Sequence, residues 1–148
     1  TAIEFQKITD EYVIIDADWL RNIAWPQNDE EENDFIEQVY SVSKNISQCK
    51  KPEVWTMAGG IDRLHHTYGK RFFSELTVLA LTAEPEVLRK RMTEGRGIDD
   101  AGWIQSSIDY NNYFRTHDTL GDTEFDTLDC TNGTPTEIAK KVLEWLRD

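Results

Sequence analysis

Seven residues, Tyr12-Val13-Ile14-Ile15-Asp16-Ala17-Asp18, constrain the fold more than any other stretch of the chain. An apolar, β-branched run that ends directly in acids reads as a buried strand of a parallel sheet, with its carboxylates at the carboxyl end. In open α/β sheets that end is where ligands bind, because loops and side chains converge there. Asp16 and Asp18 stand two apart, so on an extended backbone they face the same side. Such a pair suits a magnesium ion, a substrate hydroxyl, or one of each. The alternative is a pair of turn residues, since Asp is favoured in turns.

The rest of the chain alternates in the same manner. Ile3, Phe5 and Ile8 fit the end of a helix entering the first strand, and Trp19 to Ile23 a helical turn stopped by Pro26. Gln27 to Asp34 is an acidic loop, followed from about Glu32 by a helix with Phe35, Val39, Val42 and Ile46 on one face. Glu53 to Met57 is a second strand, Ala58-Gly59-Gly60 a turn, and Ile61 to Phe73 a helix broken near Gly69. Leu76 to Thr82 is apolar at nearly every position and is expected at the centre of the sheet. A helix starts at Glu84-Pro85-Glu86 and runs through Val87, Leu88 and Met92 into a flap of about residues 92–103. Gly102 to Phe114 is helical, Phe125 to Asp129 a last strand, and Thr136 to Leu146 an amphipathic helix with Ile138, Val142, Leu143 and Leu146 inward. The expectation is one α/β domain over residues 1–148, with a mostly parallel sheet in three layers and right-handed crossovers.

Composition narrows the partners. The formal charge is −12, from 28 acids against 16 bases, and its summed field repels polyphosphates and anionic lipid. No nucleic-acid or membrane partner is expected, and phosphate chemistry would rest on a few focused arginines. Cys49 and Cys130 fit no metal spacing, so a reducing, cytoplasmic setting is the default. The adjacent His65 and His66 read as ordinary surface residues, and the tryptophans at 19, 25, 55, 103 and 145 as core more than ligand walls.

Taken in order, these segments resemble the P-loop kinases of small molecules, the group of shikimate kinase-like, gluconate kinase-like and nucleoside or nucleotide kinase-like proteins. Val13 to Leu20 resembles the family's second strand and its Asp-x-Asp, and Met57-Ala58-Gly59-Gly60 the glycine turn after its third strand. Leu79 to Arg91 is similar to the fourth strand and the helix into the lid, and Thr131-Asn132-Gly133-Thr134-Pro135 to the loop beside the adenine. The defining G-x-x-x-x-G-K-[ST] loop, whose amides, lysine and hydroxyl hold phosphates and magnesium, is absent from the 148 residues. A first strand carrying that loop is expected upstream of Thr1, which would then be the hydroxyl residue of the loop or its neighbour.

The resemblance implies ATP and Mg²⁺ as cofactors and an ATP-dependent phosphotransfer to a small acceptor, by a monomer or homodimer. Asp16 would hold the magnesium shell and Asp18 the acceptor hydroxyl, taking its proton. Arg91, Arg96 and Arg115 would close over the phosphates, with Thr1, Asn132, Thr134 and Pro135 beside the nucleotide. Arg21, Gly59, Gly60 and Arg63 would shape the acceptor pocket, with Trp19 as a stacking wall that favours a nucleoside or nucleotide over a sugar or sugar acid. The family often carries a further arginine after the lid, where this chain has Asp109-Tyr110-Asn111-Asn112-Tyr113. A nucleotide-binding protein without turnover and an acidic interaction module are the competing expectations.

Overall fold

The computed structural model describes residues 2–21 and 26–148. It is a mixed helix and strand structure with small parallel sheets. The strands β1 (Val13–Asp16) and β2 (Glu53–Thr56) pair in parallel from Val13↔Glu53 to Asp16↔Thr56. The strands β3 (Leu79–Thr82) and β6 (Asp126–Asp129) pair in parallel from Leu79↔Asp126 to Thr82↔Asp129. Two-residue strands, β4 (Thr119–Leu120) and β5 (Thr123–Glu124), flank the turn at Gly121, whose φ is +60°. Among the described residues each parallel sheet has two strands, where the sequence suggested one larger sheet. No helix among them is long and apolar enough to cross a membrane.

Contacts divide the chain into two compact units, the first being Thr1–Leu76, Gly121–Thr123 and Thr134–Asp148. Its core joins the two extremes of the sequence. Phe5 of α1 (Ala2–Ile8) is buried with Ala139 and Leu143 of α6 (Pro135–Arg147), and Ile8, Tyr12, Ile14, Val54, Val142 and Leu146 pack around them. Full burial of side chains of this size contributes about 2 kcal/mol each. The helix α6 starts where Thr134 and Glu137 form a reciprocal capping box with Pro135 in the first turn. The backbone N–H and hydroxyl of Thr134 hold the Glu137 carboxyl below the usual carboxylate range.

Helix α3 (Asp29–Ile46) begins three residues earlier than its apolar period suggests. Asn28 caps it, accepting from the Glu31 N–H at 3.0 Å, and the acids at 29–32 sit at its positive end rather than in a loop. Phe35, Ile36, Val39 and Tyr40 are buried along one face.

The expected helix over 61–73 is replaced by two 3₁₀ turns, Ile61–Arg63 and Tyr68–Phe72, because α3 dictates the path of this segment. The Tyr40 hydroxyl donates to Leu64 O at 2.9 Å, and Glu37 accepts from the Tyr68 and Gly69 backbone N–H groups. Burial pushes the Tyr40 phenol up to about 12. Gly69 lies so close to α3 that a methyl group there would come within 2.3 Å of Tyr40 Cβ. The Thr123 hydroxyl ties the Gly121 turn to Ile61 O at 2.7 Å.

The second unit is Thr77–Leu120 with Glu124–Gly133. Its strand β3 is shorter than the apolar run, and Leu81 is 44% exposed, so β3 is not enclosed as a central strand among the described residues. Helix α4 (Pro85–Lys90) passes into a π turn, Arg91–Gly95. Helix α5 (Ala101–Thr116) starts at Asp100, whose carboxylate accepts from Trp103 N–H at 2.8 Å. Met92, Ile104 and Ile108 form one buried cluster of this unit, with Leu88 and Ile98 packed on it.

The connection expected to act as a flap is tied down locally: Gly97 N–H donates to Thr93 O and Ile98 N–H to Met92 O, each at 3.0 Å. Buried Asn111 of α5 brackets Ala83 at the end of β3, accepting from its N–H and donating to its C=O, both at 2.9 Å. Trp103, expected in the core, is 56% exposed.

Two substitutions test these constraints. Gly69→Ala is expected to lower unfolding stability by about 2 kcal/mol through overpacking against Tyr40, measured by urea denaturation. Asn111→Ala leaves both polar groups of Ala83 unpaired in a buried setting and is expected to cost about 2 to 3 kcal/mol by the same measurement.

Candidate functional site

The carboxyl end of the β1 and β2 pair gathers the chemistry of the first unit. Asp16 ends β1 opposite Thr56, which ends β2, and the glycine turn follows Thr56 by two residues. The extended backbone stops at Asp16, so the alternation that would place Asp18 on the same face does not apply. Instead α2 (Ala17–Arg21) begins at once, and Asp16 Oδ1 accepts from the Asp18 N–H at 3.1 Å as a capping residue does. Buried Ala17 anchors the turn, while Asp16, Asp18 and Trp19 are exposed, Trp19 at 65%. The turn reading and the site reading of Asp16 therefore coexist: one oxygen caps α2 and the other is uncommitted to that bond.

The two glycines differ. A methyl group on Gly59 would meet nothing within 4 Å, whereas Gly60 has φ +80° and its methyl would lie 2.8 Å from Ile36 Cδ1 and 3.0 Å from Glu32 Oε1. Gly60 is thus required by its turn and by α3, and Gly59 leaves backbone open to a ligand. Thr56 was not singled out by sequence. Its Oγ1 is buried and has no hydrogen-bond partner among the described residues, at the strand end beside Asp16. A buried hydroxyl in that state calls for an explanation such as a ligand or ordered water. The hydroxyl at the end of an apolar run was its only sequence signal.

The arginines expected around the acceptor are engaged with α3. Arg21 is 8% exposed, donates to both oxygens of Glu32 at 3.2 and 2.5 Å, and lies 4.3 Å over the Phe35 ring. Arg63 donates to Asp29 Oδ1 at 2.8 Å, Asn33 Oδ1 at 2.9 Å and Asp29 O at 3.2 Å. Both shape the wall that Gly60 packs against, as positioning groups. In the second unit, Arg91 donates to Cys130 O at 2.8 Å and Thr131 O at 3.1 Å, and Arg115 pairs with Glu84. The Thr131 hydroxyl accepts from Glu84 N–H at 2.9 Å, so this loop is held from two sides. Arg96 and Asn132 are exposed, and so are Thr134 and Pro135 of the first unit, at the start of α6. Thr1, Asn22, Ile23 and Trp25 lie outside the described residues.

No group of three or more His, Cys, Asp or Glu among the described residues could hold a metal ion as a set. Asp16 alone fits magnesium only in the manner of a metal carried by phosphates and water, which needs one or two carboxylates.

The buried pair gives a direct test of the positioning role. Arg21→Ala is expected to destabilise the fold by about 3 kcal/mol, and the double variant Arg21→Leu with Glu32→Leu to recover most of that loss, as read from denaturant midpoints. Comparison with protein-family models, with curated proteins and with solved structures returns no match.

Proposed function

We propose that this chain acts in ATP-dependent phosphotransfer to a small-molecule acceptor, as the P-loop kinases do, with a nucleoside or nucleotide as the acceptor. Asp16, Asp18 and Trp19, brought to the carboxyl end of a parallel strand beside open Gly59, carry the proposal. The G-x-x-x-x-G-K-[ST] phosphate loop of that family does not occur in these 148 residues. Magnesium bound with ATP would neutralise the phosphates while Asp16 holds a place in its shell. The acceptor hydroxyl then attacks the γ-phosphorus: the new P–O bond forms, the bond to the β-bridging oxygen breaks, ADP leaves, and the hydroxyl proton passes to Asp18. Arg91, bonded to the loop after β6, acts in holding that loop. Trp19, largely exposed, offers a flat surface to an acceptor base.

A nucleotide-binding protein without turnover is the second reading, favoured by the internal bonds of Arg21, Arg63, Arg91 and Arg115. The two separate in a coupled ADP-release assay on the intact protein with magnesium and ATP, over nucleosides, nucleotides, sugars and sugar acids. Asp18→Asn is expected to lower kcat by about 100-fold or more while the thermal midpoint stays in place. Equal turnover by that variant removes Asp18 from the chemistry, and ATP binding without any turnover favours the second reading.

A further inference from the structure

The Tyr68–Phe72 turn stands apart from the β1 and β2 site and is built unlike ordinary surface. Glu37 fixes its first two backbone N–H groups, and Gly69 seats it against Tyr40. That anchoring leaves its aromatic residues outside: Tyr68 is 64% and Phe72 47% exposed. Two cations cover them, with the Arg71 guanidinium 3.1 Å from the Tyr68 ring centroid and 4.6 Å from that of Phe72, and Lys44 Nζ 4.2 Å over Phe72. Lys70, next to Arg71 in the chain, turns its Nζ to Phe73 O at 3.1 Å. A cleft lined by Glu37, Tyr40, Ser41, Lys44, Tyr68 and Phe72 opens beside the rings.

We propose that this patch binds an acidic segment of a partner protein in which carboxylates alternate with apolar side chains. The chemistry matches on each count. An arginine stacked on a ring keeps its N–H fork in plane for bidentate carboxylate binding, and its stem and the ring together present an apolar floor. Tyr, Phe and Arg are enriched at protein interfaces, and pre-ordering of the turn's backbone by Glu37 and Gly69 removes part of the entropic cost of binding.

Charge selects the partner class. Lys44 and Arg71 place two cations on the exposed rings of a chain of formal charge −12, while both Glu37 oxygens already serve the turn. Two cations suffice for two carboxylates. A polyphosphate chain would run on into the surrounding negative field, and a second copy would bring a further −12.

The test uses the intact protein and fluorescence anisotropy. The probe is a fluorescein-labelled heptapeptide of Glu alternating with Leu and Phe; the controls are the same peptide with Gln for Glu and a labelled oligothymidylate. Saturable binding of the Glu peptide, weakened tenfold or more by Arg71→Glu and by Tyr68→Ala with Phe72→Ala, but unchanged by Lys90→Glu, is the expected result. Circular dichroism and the thermal midpoint of the exposed-site variants are expected to match the parent. No saturable binding, equal binding of the Gln peptide, or tighter binding of the oligothymidylate would overturn the proposal. So would a concentration-dependent dimer in sedimentation that Arg71→Glu abolishes, which assigns the patch to self-association.

Discussion

Carboxylates on one helix set the form of the first unit. Along α3, Asp29 and Asn33 hold Arg63, Glu32 holds Arg21, and Glu37 holds the backbone of the Tyr68 turn. The acid-rich start of α3 would repel itself if left in water, and the helix dipole with two arginines offsets that repulsion. The Glu32 pair is the most demanding of these, because Arg21 is buried and a charge taken out of water is stable only when its donors are met. Stacking over Phe35 completes the enclosure. The glycine turn after β2 and the segment beyond it then follow surfaces that α3 presents, Ile36 and Glu32 to Gly60 and Tyr40 to Gly69.

That dependence explains what could be read from the sequence. Period and composition located α3, α6, β1, β2, β3 and β6 to within a few residues, because each carries its apolar face in its own local pattern. The segment 61–73 could not be read in that way. Its hydrogen-bond partners lie more than twenty residues away on α3, and no local rule reveals them. The extra turn at the start of α3 was hidden for a related reason, since a run of acids reads as a solvated loop until Asn28 is recognised as a cap.

Site residues divided along the same line. The place of Asp16 at a strand end followed from the apolar run before it, but the helical state of Asp18 hinged on a cap formed by Asp16 itself. Arginines were the least legible. Their charge is visible in sequence and their partners are not, so Arg21, Arg63, Arg91 and Arg115 each proved to be bonded within the unit that contains them. Asn111, in the place where a further arginine was sought, fastens α5 to the end of β3. Trp19 and Trp103 run against the tendency of tryptophan to be buried, and both lie within a few residues of an Asp that caps a helix.

The joining of α1 to α6 has a consequence for how the molecule comes into being. Phe5 meets Ala139 and Leu143, and the Tyr12 hydroxyl donates to Leu146 O at 3.4 Å, across 134 positions of chain. Everything in the second unit is synthesised before those partners leave the ribosome. During translation the early apolar residues must therefore wait, and the second unit can organise around Met92 and Ile108 while they do. Vectorial synthesis favours the later segment as the earlier one to mature.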